Sequence, residues 1–193
     1  MKIIGVGCGP GLLTEQALQA LKKARFCYGS ERAIGLARPF LPKNCTVRSI
    51  DDFKKLPALP EDAVLLSTGD PMLAGLGYLR GEVIPGISSL QIAAARLHIP
   101  LSRIAVVVAH GRGHEQGMQD TIDELKREKI VFLLADPKFS IDELYGRLAA
   151  LALPLQIAVC EDLAYPEERI VVGDIASPPK PESALYSLVI GRF

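Results

Sequence analysis

Four short stretches hold the residue types that could meet a ligand: GCGPG at 7–11, STGDP at 67–71, PGISS at 85–89 and HGRG at 110–113. Each is rich in small residues or Gly/Pro, the composition needed where backbone must approach a bound molecule. In STGDP, Gly69 lets the chain turn and Pro71 suits the first turn of a helix. Asp70 is thereby placed to accept hydrogen bonds from ribose hydroxyls or an amine, or simply to cap that helix. Ser88 and Ser89 in PGISS offer hydroxyls and free backbone N–H groups, with capping again the alternative. The first stretch follows an apolar run, as a dinucleotide loop would, but Pro10 or Leu12 stands where the third glycine is needed. Pro10 also removes an N–H donor from the loop, and no Gly-Lys-Ser/Thr is present to make a P-loop.

Other chemistry is less well supplied. The four cysteines, Cys8, Cys27, Cys45 and Cys160, form no C-x-x-C pair, so reduced thiols are expected rather than a disulfide framework or a zinc site. His110 and His114 stand four apart, which on a helix would present two metal ligands on one face. They lie in HGRGHEQG, where the glycines predict a loop, and no metal site is expected.

Buried strands must position these loops. Strand-like runs at 2–6, 25–28, 45–50, 63–67, 82–84 and 103–109 alternate with helical patterns, predicting a parallel, doubly wound sheet. Thr14 and Ser30 are plausible caps of the first two helices, and a short helix is expected around 73–79. All four loops then fall at the carboxyl ends of strands on one sheet edge, where open α/β sheets bind ligands. Beyond 113 the pattern changes. Helices around 118–125 and from the capping box at 140–143 accompany strands at 130–134, 156–160, 169–172 and 185–190. The last three have little helix between them and can pair antiparallel, which predicts a mixed sheet. The expected organisation is two α/β domains, 1–112 and 113–193.

Composition narrows the function classes. Lys+Arg 22 against Asp+Glu 22 gives zero net charge, which argues against a protein built to coat nucleic acid or an anionic membrane. No apolar run approaches the roughly 20 residues of a membrane span, and the first residues break at glycines too early for a signal peptide. A cytoplasmic location is expected.

Taken in order, GVGCGPG-x-x-T, STGDP and IPGISS resemble the S-adenosylmethionine-dependent tetrapyrrole (corrin/porphyrin) methylases. The later HGR, LLADPK and CEDLAYPEERIV are similar to the branch that methylates carbon 5 of cobalt-precorrin-7 in anaerobic cobalamin synthesis. The resemblance covers nearly the whole chain. It implies a two-domain α/β fold, with a mostly parallel N-terminal sheet, a mixed C-terminal sheet and the cofactor, S-adenosyl-L-methionine, in the cleft between them. It implies a homodimer acting on a polycarboxylate tetrapyrrole. Asp70, Leu73 and Ala74 would contact the methionine or ribose part, Ser88 and Ser89 would line the same pocket, and Leu134, Ala135 and Leu163 would lie near the adenosine. Pro10 would floor the substrate side. The chain ends directly after its last strand, so a fused second enzyme, present in some relatives, is not expected.

The implied chemistry asks little of side chains. The sulfonium carries an activated methyl, and in-line attack by an electron-rich carbon needs chiefly proximity and exclusion of water. No covalent protein intermediate and no cysteine nucleophile are expected. His110 is the candidate base for the proton lost from the methylated carbon. A polycarboxylate substrate needs facing cations, of which Arg112 is the first choice and Arg32 and Arg38 follow. The alternatives are a family member with another acceptor (another corrin carbon, or a modified histidine on a translation factor), a nicotinamide oxidoreductase disfavoured by Pro10 and Leu12, and a non-catalytic binding module.

Overall fold

A computed structural model describes residues 1–110 and 113–193. It divides into two compact units, Met1–Ser89 and Leu90–Phe193.

The first unit is a five-stranded, wholly parallel sheet. Its strands are β1 (Lys2–Gly5), β2 (Phe26–Gly29), β3 (Thr46–Ser49), β4 (Val64–Ser67) and β5 (Glu82–Ile84), in the order β3-β2-β4-β1-β5. Between them run α1 (Glu15–Leu21), α2 (Glu31–Ala37) and the single turn α3 (Pro71–Ala74). Strand alternation divides the core between both sheet faces. Ile4, Val64 and Leu66 pack with Ala17, Leu21, Ala33 and Ile34 of α1 and α2. Ile3 and Leu65, one residue out of phase, pack with Leu56, Leu76 and Leu79. Thr14 and Ser30 are the caps, accepting from the N–H groups of Ala17 and Ala33. The chain runs outward from β1 to β3 and returns through β4 to β5, so its direction reverses around β1, where such sheets form a crevice at the carboxyl edge.

The second unit holds the mixed sheet. Its strands are β6 (Ile104–Ala109), β7 (Ile130–Ala135), β8 (Gln156–Glu161), β9 (Arg169–Asp174) and β10 (Tyr186–Gly191), ordered β6-β7-β10-β8-β9. Only β6 and β7 are parallel; β10 runs antiparallel to β7 and β8, and β9 to β8. Helix α4 opens at Ser89 and runs to Arg96; α5 (His114–Lys126) and α6 (Ile141–Ala149) follow. Met118, Ile122, Leu125, Leu144 and Leu148 of the last two helices cover Val107, Val131, Leu133, Val159 and Leu188. No helix among the described residues is long and apolar enough to cross a membrane.

Three expectations change. The boundary read at 112/113 lies instead at Ser89/Leu90, because β6 pairs with β7 over six residues and joins the second sheet. The helix expected around 73–79 is only the turn Pro71–Ala74; Gly75 leaves helical backbone, and the Gly77 N–H closes back on the Pro71 carbonyl at 2.9 Å. The loop expected through HGRGHEQG ends early, since α5 already begins at His114 and buries Gly117 against Ala109.

One buried carboxylate organises the last strands. Glu161, 1% exposed, ends β8 and accepts from the N–H groups of Ser183 (2.7 Å) and Glu182 and from the Arg169 guanidinium. Burial pushes this carboxyl up, but the three donors outweigh it and hold it below the usual carboxylate range. Stability gained this way is present above about pH 4.5 and is lost as pH falls through the lowered value. Glu161→Gln should cost about 2 kcal/mol or more at pH 7 in urea denaturation. The gap to wild type should narrow as pH falls below about 4.5.

Candidate active site

Three of the four loops converge in the first unit. They follow β1, β4 and β5, three adjacent parallel strands, so their carboxyl ends share one edge. The loops are hydrogen-bonded to one another. Gly7 and Gly69 exchange backbone bonds at 3.3 and 2.8 Å, and the Cys8 N–H reaches the Ile87 carbonyl at 2.9 Å. Asp70 ties the group together. Its Oδ1 accepts from the Met72 N–H at 2.7 Å, capping α3, while its Oδ2 accepts from the Gly86 N–H at 3.0 Å. The capping alternative and the cross-loop role are therefore both realised, on separate oxygens, leaving each oxygen a further lone pair to offer.

Glycine makes this approach possible. A Cβ on Gly86 would fall 2.2 Å from the Gly69 carbonyl oxygen, a contact with backbone that no rotamer relieves. Gly69 itself has φ +68°, in the left-handed region. The floor so formed is bare backbone bordered by small side chains: Ser88 is 3% exposed, Ser89 and Leu73 are half-buried, and Ala74 and Pro10 are exposed.

HGRG follows β6, a strand of the second sheet, whereas the other three loops follow strands of the first. His110 is exposed, and its carbonyl accepts from the Gly113 N–H at 3.3 Å. Arg112 lies outside the described residues. His114, the first residue of α5, places Nε2 2.9 Å from Asp136 Oδ2 and meets the Phe139 ring edge-on. The two histidines do not share a helix face, and no metal-binding group of His, Cys, Asp and Glu is found among the described residues.

The second sheet brings the remaining candidates together. β7 and β8 both run antiparallel to β10 and flank it, so Leu134 and Ala135 at the end of β7 share an edge with Leu163 just beyond β8. Leu163 is buried between two left-handed residues, Asp162 (φ 45°) and Ala164 (φ 67°). The turn is fixed by Glu168, which accepts from the Ala164 N–H at 2.7 Å and pairs with Arg96 at 2.6 Å. Sequence reasoning missed both this clamp and the His114–Asp136 pair, because their members lie far apart in the chain. The thiols of Cys27 and Cys160 are pushed up to about 12, chiefly by burial, and are not thiolates at neutral pH.

The chain is similar in sequence and fold to known proteins. The sequence model of the tetrapyrrole (corrin/porphyrin) methylases matches residues 2–179. A Methanocaldococcus jannaschii protein named probable cobalt-precorrin-7 C(5)-methyltransferase is 31% identical over 188 residues, covering 86% of this chain and 85% of that protein. The cobalt-precorrin-7 C(5)-methyltransferase of Salmonella typhimurium is 26% identical, with 88% of each chain covered. Among solved structures, the precorrin-6Y methylase of cobalamin biosynthesis from Archaeoglobus fulgidus superposes with a TM-score of 0.78 at 28% identity, over 100% of this chain and 98% of that one.

The crowding at Gly86 gives a direct test. Gly86→Ala must push the Gly69 carbonyl away and lengthen the Asp70 contact, at a cost of about 2–3 kcal/mol. Urea denaturation should show a lower midpoint at unchanged slope. An unchanged midpoint would show that the loops are not held this closely.

Proposed function

The chain belongs to the tetrapyrrole (corrin/porphyrin) methylase family, and from that premise we propose that it transfers a methyl group from S-adenosylmethionine to carbon 5 of a corrin-type tetrapyrrole, cobalt-precorrin-7. The observation that carries this reading is the extent of the family match. Residues 2–179 take in all three tied loops as well as Leu134, Ala135 and Leu163. The acceptor is supported by the relatives named for that reaction.

The residues suit the cofactor. A floor of glycine backbone admits close approach, and Asp70 retains acceptor capacity for an amine or ribose hydroxyls after its two backbone bonds. When bound, the cofactor supplies a methyl on a sulfonium that needs no further activation. We assign Asp70, Leu73, Ala74, Ser88 and Ser89 to its methionine and ribose, and Leu134, Ala135 and Leu163 to its adenosine. The protein's work is then to hold the donor and exclude water. His110 receives the proton lost from the methylated carbon, Pro10 and Arg112 meet the macrocycle, and the enzyme acts as a cytoplasmic homodimer.

Calorimetry tests the cofactor assignment. S-adenosylhomocysteine should bind and NAD should not. Asp70→Ala removes the bond to Gly86 along with the acceptor, and should weaken the first ligand at least about tenfold. Methyl transfer assayed across candidate acceptors then tests the second substrate, with carbon 5 of the cobalt-corrin expected to turn over. Unchanged affinity in the variant would remove Asp70 from the site, and turnover of a different acceptor alone would reassign the reaction.

A further inference from the structure

The methylase reading leaves one demand unmet among the described residues: a polycarboxylate substrate must find cations on a protein whose total charge is zero. Chain direction sorts the candidates in the first unit. Parallel strands end at the edge that carries the tied loops, and the helices that follow them run back toward the opposite edge. Cations that close helices or precede strands, such as Lys22, Lys23, Arg25 and Lys43, therefore lie at the far edge. Arg38 follows the last residue of α2, six residues beyond Arg32 and so about 9 Å further along at 1.5 Å per residue.

Arg32 is placed differently. It is the second residue of α2, directly after β2, and its Nη2 donates to Thr68 Oγ1 at 3.1 Å. Thr68 sits in the STGDP loop, two residues before Asp70. The guanidinium thus rests against the same loop that Asp70 ties. Among the described residues no carboxylate pairs with it. Neighbouring Glu31 accepts from Ser49 Oγ, while ion pairs elsewhere in this unit join Lys2 to Glu82 and Arg25 to Asp62. The side chain is exposed. One of its five N–H donors is spent on fixing its position; the second N–H of Nη2, paired with whichever neighbour (Nε or Nη1) Thr68 does not face, leaves one planar, two-point face for a carboxylate.

We propose that Arg32, oriented by Thr68, binds a carboxylate side chain of the tetrapyrrole substrate at the Asp70 edge. The proposal rests on the methylase reading. Arg32 takes no part in bond making; it sets the register of the macrocycle and the affinity for its anionic rim.

The test uses the full chain saturated with S-adenosylhomocysteine and titrates uroporphyrin, an octacarboxylate tetrapyrrole, by fluorescence at low and moderate salt. Arg32→Gln keeps a donor for Thr68 but loses the charge. It should weaken uroporphyrin about tenfold and flatten the salt dependence. Its affinity for S-adenosylhomocysteine and its unfolding temperature should match wild type. Arg32→Lys should fall between the two, and Thr68→Val, which keeps the cation but frees it, should lose less than Arg32→Gln. In turnover with the corrin substrate, Arg32→Gln should raise KM with kcat nearly unchanged. Equal uroporphyrin affinity and salt dependence in Arg32→Gln and wild type would overturn the proposal. If wild type binds S-adenosylhomocysteine but no uroporphyrin at all, the tetrapyrrole reading falls and the proposal falls with it.

Discussion

The carboxylate of Asp70 holds the candidate site together. Its two oxygens accept backbone N–H groups from two different loops, one opening α3 and one following β5. Charge-assisted bonds of this kind are stronger than those between neutral groups. They converge here on a place where three strands end side by side and where only glycine backbone fits. The paired bonds between Gly7 and Gly69 extend the tie to the first loop. Removing the carboxylate would leave the Gly86 N–H, in a buried residue, without its acceptor, so the loops and the site stand or fall as one unit.

This arrangement explains how a binding floor can be made with few side chains. A site for a methyl donor needs exact placement more than acids and bases, because the leaving group is already activated. Rigid backbone crossed by short hydrogen bonds provides placement at low entropic cost. Several of the reactive side chains are correspondingly quiet. Two of its thiols are raised by burial, and His114 is engaged by Asp136 and Phe139.

Much of this was legible in the sequence, for identifiable reasons. STGDP and PGISS announce themselves because a Gly-Asp-Pro or Pro-Gly-x-Ser-Ser after an apolar run has few other uses than a tight strand-to-helix turn. The parallel sheet follows from the alternation of strands and helices, and the mixed sheet from three successive strands without helices. Partnership between strands is not written locally. The run 104–109 reads as a buried strand whichever sheet it joins, and only its register with 130–135 shows that HGRG is carried by the second unit. Long-range side-chain pairs are equally silent: Arg96 and Glu168 are separated by 72 positions. Arg32 is an intermediate case. Residue type alone could not rank it above Arg38, but the rule that a helix after a parallel strand begins at the carboxyl edge does.

We propose that the three loops tied by Asp70 form the floor on which the methyl donor sits. Amide hydrogen exchange at Gly7, Gly69, Met72 and Gly86, followed with and without S-adenosylhomocysteine, addresses it residue by residue. Saturating ligand should slow exchange at these amides in the wild type, and Asp70→Ala should speed it in the free protein. Ligand binding that leaves all of these amides unchanged, with protection confined to other parts of the chain, would contradict it.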